Sequence, residues 1–400
     1  GISIGEFEGI QERLARMAAN AYLIDGARRL TCAALDQGHH PAVVTAIMKE
    51  RATEKLRVCV NDAMDVHGGK AIMEGPHNYM GALYRAVPVG ITVEGANIVT
   101  RNLIEFGQGA IRSHPYLLQE IDALNDTDNV RGLAAFDRTF WRHVAHSIAT
   151  FFRAGARAWT NSAFAPAPSA GKATKFYRRV GRYAAAFALT ADFALLTLGG
   201  ALKRKEMLSA RFGDVLSELY LLSGALKRWD DEGRQDDDLP LLSYCVEQGF
   251  ATIAARLDAI LINLPNRFAA AILRIAVMPF GPDTRGPDDA LKVACARILL
   301  EPSPARDRLT AGIFHGFGDD KIASLDRAFK LTAAAAPLLE KMRKAHVHDI
   351  HAAQAAGIVD EEGARALQAV DAAVAAVIAV DDFAADELSP RRAATYSTAE

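Results

Sequence analysis

Phe7, Ile10, Leu14, Met17, Ala21 and Ile24 recur at helical spacing, with Glu8, Glu12, Arg13 and Arg16 between them. Apolar residues three and four apart share one face of a 3.6-residue turn, so this pattern predicts an amphipathic helix to about Ala34. Gln37-Gly38-His39-His40 makes a turn, and Pro41 follows where a first helical turn tolerates a missing N–H. Val44, Ile47, Met48, Ala52, Leu56, Val60 and Ala63 continue the same period until Gly68-Gly69, a strong stop. After a loop through Gly75-Pro76, a short segment covers Tyr79 to Arg85. Val87 to Val93 reads as a connector rich in β-branched residues, and a further helix runs from near Ala96 to about Phe106.

Gly107, Gly109 and His114-Pro115 then interrupt the pattern, which places a boundary near residue 112. Helical patterns resume from Pro115 to about Leu124 and from about Asp128 to Trp159. A loop rich in Pro and Ala, Ala165 to Gly171, precedes two long helices over roughly Lys172–Lys203 and Lys205–Asp230. The acidic stretch at 230–238 reads as a solvated turn, since it lacks the Gly and Glu spacing of a calcium loop. More helix covers about 241–277, and helices alternate with loops up to a polar tail. The division predicted is 1–112, 113–388 and a tail at 389–400, all α-helical outside the loops.

Composition narrows the function classes. With 400 residues, half of them hydrophobic, the chain can build a sizeable core, and a formal charge of -2 without a long block of one sign argues against nucleic acid as a partner. Cys32, Cys59, Cys245 and Cys295 are scattered, so neither a disulfide framework nor a zinc site is expected and the thiols suit a cytoplasmic chain. No secretory pattern opens the sequence, which starts without Met and turns amphipathic almost at once. That start suggests a piece whose upstream domains lie outside these residues. Tyr183 to Leu202 is nearly apolar over a membrane-spanning length, with basic residues on both sides. Asp192 near its middle favours a buried core helix, with peripheral contact at the inner membrane as the lesser alternative. His346, His348, Asp349 and His351 form a small cluster better read as a solvated helix end than as a metal site.

Two features within the first hundred residues carry chemistry. Asp65-Val66-His67-Gly68-Gly69 ends a long helix, and Ile91-Thr92-Val93-Glu94-Gly95-Ala96 precedes another. A carboxylate beside Ile91 and Val93 would be desolvated and its pKa raised, which suits a base that removes a proton next to a carbonyl. Taken alone, the plain alternative is the better one: Glu94 would favour the positive end of the helix that follows, and Gly68-Gly69 would be a cap.

Taken together and in order, these features resemble the acyl-CoA dehydrogenase family. Its C-terminal four-helix domain carries a Gln-Ile-His-Gly-Gly-like helix end, then a Leu-Tyr-Arg element (here Leu83-Tyr84-Arg85), then an Ile-Tyr-Glu-Gly-Thr-like motif and an Arg matching Arg101. Gly5-Glu6-Phe7 and Leu14-Ala15-Arg16-Met17-Ala18 are similar to that domain's first helix. Phe106 to Arg112, followed by His114-Pro115-Tyr116, is similar to the large bacterial members of fatty-acid β-oxidation, the FadE type, which carry an additional helical region.

The resemblance implies an FAD-dependent oxidoreductase in which Glu94 removes the α-proton of an acyl-CoA while its backbone N–H, next to Gly95, binds the thioester oxygen. It implies that Gly68 and Gly69 lie close to FAD phosphates, and that the product is a trans-2-enoyl-CoA. It further implies an electron-transferring flavoprotein as partner and pairing into a homo-oligomer. Asp65 and Ala96 depart from the family's Gln and Thr, which removes two flavin contacts. The 400 residues alone are therefore expected to be inactive and to bind FAD poorly. The alternative from another class is a non-catalytic helical module for dimerisation or membrane docking.

Overall fold

The computed structural model describes residues 2–109, 114–168, 170–318, 320–381 and 383. No strand occurs among them, in keeping with the all-α expectation. The expected boundary at residue 112, the Ala110–Arg112 part of the motif and the tail at 389–400 lie outside the described residues.

The helices are α1 (Glu8–Asp36), α2 (Ala42–His67), α3 (Gly69–Ile72), α4 (Gly81–Thr92), α5 (Asn97–Val99) and a π-helix (Thr100–Gln108). Then come α6 (Leu117–Leu124), α7 (Asn129–Trp159), α8 (Thr174–Leu198), α9 (Glu206–Asp231), α10 (Leu239–Asn263) and α11 (Arg267–Val277). The last are α12 (Asp289–Leu300), α13 (Pro304–Thr310), α14 (Lys321–Lys344), α15 (Ile350–Ala355) and α16 (Glu361–Ile378). Side chains fix several starts: Asp128, Asn266, Asp288 and Asp320 each accept from an N–H of the first turn that has no helical partner.

Three expectations change. Val87 to Val93 is not a connector: α4 runs through it to Thr92, with Pro88 inside the helix. Val87 is buried there, and a Cβ at Gly90 would meet Thr53 of α2 at 3.3 Å, so packing outweighs the weak helix preference of β-branched residues. The helix expected over 241–277 breaks at Leu264-Pro265, and Asn266 caps its second half. The acidic stretch is not wholly solvated: Asp238 is buried and takes two bonds from Arg308, at 2.8 and 2.9 Å.

The chain divides into two compact units, 1–62 with 86–311, and 63–85 with the described residues from 312 onward. In the first, α9 is central. It packs on α1, α8, α10 and the π-helix, and seventeen of its residues, from Leu208 to Trp229, are buried. α1 and α9 touch backbone to backbone, since a Cβ added at Gly224 would stand 2.6 Å from the Ala27 Cα. α8, the apolar stretch with Asp192, contributes Tyr183, Ala185, Ala186, Leu189 and Ala194 to this core. By length and composition alone the segment Gly171–Arg204 could also cross a membrane. In the second unit α14, α15 and α16 close a smaller core on Met342, Ala353, Val359, Leu367 and Val370. The loop after α3 is tied to the end of the described chain there, because the His77 N–H and Nδ1 both bond Asp381, at 2.9 and 2.8 Å.

Candidate active site

Glu94 stands just after α4 with φ +55, and Gly95 follows with φ +85. A side chain at such a φ crowds its own backbone, so a non-glycine residue here is uncommon and costs about 1–2 kcal/mol. The turn is held from α2. Lys49 Nζ donates to the Gly95 carbonyl at 2.8 Å and to Asn97 Oδ1 at 2.7 Å, and reaches the Ile91 carbonyl at 3.5 Å. Asn97 in turn donates to Thr53 Oγ1 and Glu54 Oε1, both at 2.9 Å. Thr100 N–H closes the next turn on the Ala96 carbonyl at 3.0 Å. One ammonium thus gathers two carbonyls and an amide, fixing the backbone of Ile91 to Asn97 against α2.

The dry pocket expected around Glu94 is not formed among the described residues. Glu94 is exposed, and so are its apolar neighbours Val93 (47%), Ile98 (75%) and Val99 (47%). Lys49 and Asn97 anchor the turn through backbone and amide groups, and no described side chain packs over Ile98. The desolvation predicted from Ile91 and Val93 therefore has no source within the described residues.

Behind the turn lies a buried charge cluster that the sequence did not reveal. Asp214 on α9 receives Arg101 Nε and Nη2, both at 2.7 Å, Arg51 Nη2 at 2.6 Å and Arg256 Nε at 2.8 Å. Burial works against its charge, but Arg101 and Arg51 outweigh it and hold the carboxyl below the usual range. Glu105, on the π-helix, is fully buried and accepts from Ser217 Oγ at 2.9 Å. Burial pushes Glu105 up despite the Arg51 charge, and pushes Glu50 up to about 7. Arg101, expected from its motif, thus points to α9 of the downstream segment.

Gly68 and Gly69 belong to the second unit and Glu94 to the first. Gly68 has φ +58, which the turn between α2 and α3 requires, and a Cβ there would meet nothing within 4 Å. A Cβ at Gly69 would meet only Met73, at 3.7 Å. Both are exposed, so backbone at this point is open to an incoming group. Asp349 of the histidine cluster caps α15 through the Ala352 N–H at 2.7 Å, and no metal-ligand grouping forms there among the described residues.

Residues 111–383 match the acyl-CoA dehydrogenase C-terminal region of bacterial type, and residues 1–107 match the acyl-CoA dehydrogenase C-terminal domain. The chain belongs to the acyl-CoA dehydrogenase family. Among solved structures, this acyl-CoA dehydrogenase chain is similar in fold to an acyl-CoA dehydrogenase from Bacillus anthracis complexed with FAD. The identity is 17% and the TM-score 0.52, over 74% of this chain and 49% of that one. The matched part is thus about half the length of that relative.

Lys49, Thr53 and Asn97 carry no motif signal of their own. Lys49 and Thr53 stand one turn apart on α2, and that spacing of two polar residues on a helix is too common to single them out.

Proposed function

We propose that this chain is the base-bearing helical part of an FAD-dependent acyl-CoA dehydrogenase of fatty-acid β-oxidation, which oxidises a medium- or long-chain acyl-CoA to the trans-2-enoyl-CoA. The observation that carries the reading is Glu94 at φ +55, fastened through Gly95 and Asn97 to Lys49. Strain of this kind persists only where surrounding structure imposes it, and it concentrates at functional sites.

Glu94 takes the α-proton of the thioester. Its own backbone N–H has no acceptor among the described residues, which leaves it to donate to the thioester oxygen as negative charge develops there. Bound FAD supplies the acceptor for the β-hydrogen, which leaves as hydride while the Cα–Cβ bond becomes double. Gly68 and Gly69 fit close passage of its phosphates, because Gly69 lacks a side chain where its φ does not demand it. In this reading, parts of the whole enzyme outside these residues cover Val93, Ile98 and Val99 and dry Glu94. The 400 residues alone would then be inactive and hold FAD weakly. An electron-transferring flavoprotein would be the partner that accepts the electrons, and copies of the enzyme pair through the helical domain. The enzyme is cytoplasmic, with peripheral contact at the inner membrane as the lesser option.

The exposure of Glu94 also favours a second reading, a helical interaction module without catalysis. Steady-state enoyl-CoA formation by the holoenzyme separates the two. Glu94→Gln should lower kcat by about 100- to 10,000-fold, the usual worth of a positioned general base. Unchanged turnover would leave the interaction module standing.

A further inference from the structure

A cavity of about 660 Å³ opens in the first unit between the end of the π-helix, α6, α7, α8 and the turn at 199–204. That volume is within the range of pockets that enclose small ligands, about 300–1,000 Å³. Phe136, Phe140, Val144, Leu189, Phe193 and Leu196 are among the apolar residues of its wall. Polar groups reach the lining in two places, and they differ in kind.

The first is already satisfied. His114 Nδ1 accepts from the N–H groups of Tyr116 and Leu117, at 3.2 and 3.1 Å. Its proton is therefore on Nε2, which donates to Asp192 Oδ1 at 2.9 Å. Ser147 donates to the other oxygen of Asp192 at 3.1 Å, and His143 Nδ1 lies 2.9 Å from Glu120 Oε1. One ligand atom from each of His114, His143 and Asp192 lies within 4.8 Å of the others, a spacing that could hold a metal ion. The tautomer opposes that use. A metal on Nε2 would need its lone pair and force the proton onto Nδ1, against two backbone donors. The second place is Lys203, the single Lys or Arg on the lining, which is exposed and has no carboxylate partner among the described residues.

The carboxylates of Glu120 and Asp192 repel an anion from the satisfied corner, and Lys203 attracts one. We propose that the cavity takes the tail of a single-chain alkyl carboxylate, with its head on Lys203. The apolar wall supplies affinity in proportion to chain length, and the lone ammonium chooses the head. The inference is independent of Glu94.

Isothermal titration of the 400-residue protein with laurate, kept below micelle-forming concentrations, tests it, with 1-dodecanol as the neutral comparison. Laurate should bind one to one and at least tenfold more tightly than dodecanol. Lys203→Glu should remove that preference and leave dodecanol unchanged. Val144→Trp, which fills the cavity, should abolish both. Leu196→Trp, at an exposed position on the wall, repeats the test if Val144→Trp does not fold. Absence of saturable binding, equal affinity for laurate and dodecanol, or laurate binding indifferent to both Lys203→Glu and the cavity-filling change would overturn the proposal. So would a protein that pairs through this face and admits no laurate.

Discussion

Glu50, Glu105 and Asp214 share one buried region with Arg51, and the arginine does not serve them equally. It lies 2.6 Å from Asp214, but its Nε, 3.0 Å from Glu50 Oε2, makes no hydrogen bond to that oxygen. Glu50 thus bears its burial with charge attraction alone, and its carboxyl is pushed up to about 7. A carboxyl raised in the folded state binds its proton more tightly there than in the unfolded chain. Its contribution is fully present below the ordinary carboxylate range and is lost as pH rises through about 7. Asp214, held low, has the opposite sign: its contribution is lost only as pH falls through its depressed value. The two windows do not overlap. Urea unfolding should therefore show wild type less stable at pH 8 than at pH 5, by up to about 3 kcal/mol. Glu50→Gln, neutral at both pH values, should reduce that difference, leaving the share of the same sign that the raised Glu105 carboxyl contributes. An equal pH dependence in the variant would mean that Glu50 does not carry it.

At the scale of helices, close approach sets what α1 and α9 tolerate. A Cβ at Gly26 would stand 2.8 Å from the Gly224 carbonyl oxygen, and one at Gly224 would stand 2.7 Å from the Ala27 backbone nitrogen. Backbone cannot yield as a flexible side chain can, so Gly224→Ala should cost about 1–3 kcal/mol or more despite its better helix preference. A lowered denaturation midpoint at unchanged slope would confirm it, and a raised one would contradict the packing. The π-helix depends equally on contact. Phe106 stacks on Phe212 at 4.5 Å and meets Phe187 edge-on at 6.0 Å, while Glu105 bonds Ser217. These partners lie about a hundred residues downstream, which is why the sequence predicts an ordinary helix over Ala96 to Phe106. The helix over 128–159, by contrast, was legible because its period and its Asp128 cap are local.

Across the whole molecule, the segment that carries Glu94 packs much of its first helix on downstream helices. The buried face of α1 lies on α9, α10 and α12, and Arg51 and Arg101 both pair with Asp214. Residues 1–109 expressed alone should therefore lack cooperative unfolding, with loss of the near-ultraviolet circular dichroism of the 400-residue protein. A sharp thermal transition in the short piece would contradict this. Sequence order alone did identify the family, because Gly68-Gly69, Leu83-Tyr84-Arg85, Glu94-Gly95 and Arg101 follow one another in the order of its motifs. It did not show the exposure of Glu94, since burial depends on what packs over a turn and not on its neighbours in sequence. The role of Glu94 is tested most directly by anaerobic single-turnover reduction of the flavin in the holoenzyme, using acyl-CoA deuterated at the α-carbon. Wild type should show a primary isotope effect, and Glu94→Gln should bleach the flavin at least about 100-fold more slowly while still binding substrate. Reduction by Glu94→Gln at the wild-type rate, with the same isotope effect, would assign the proton to another base.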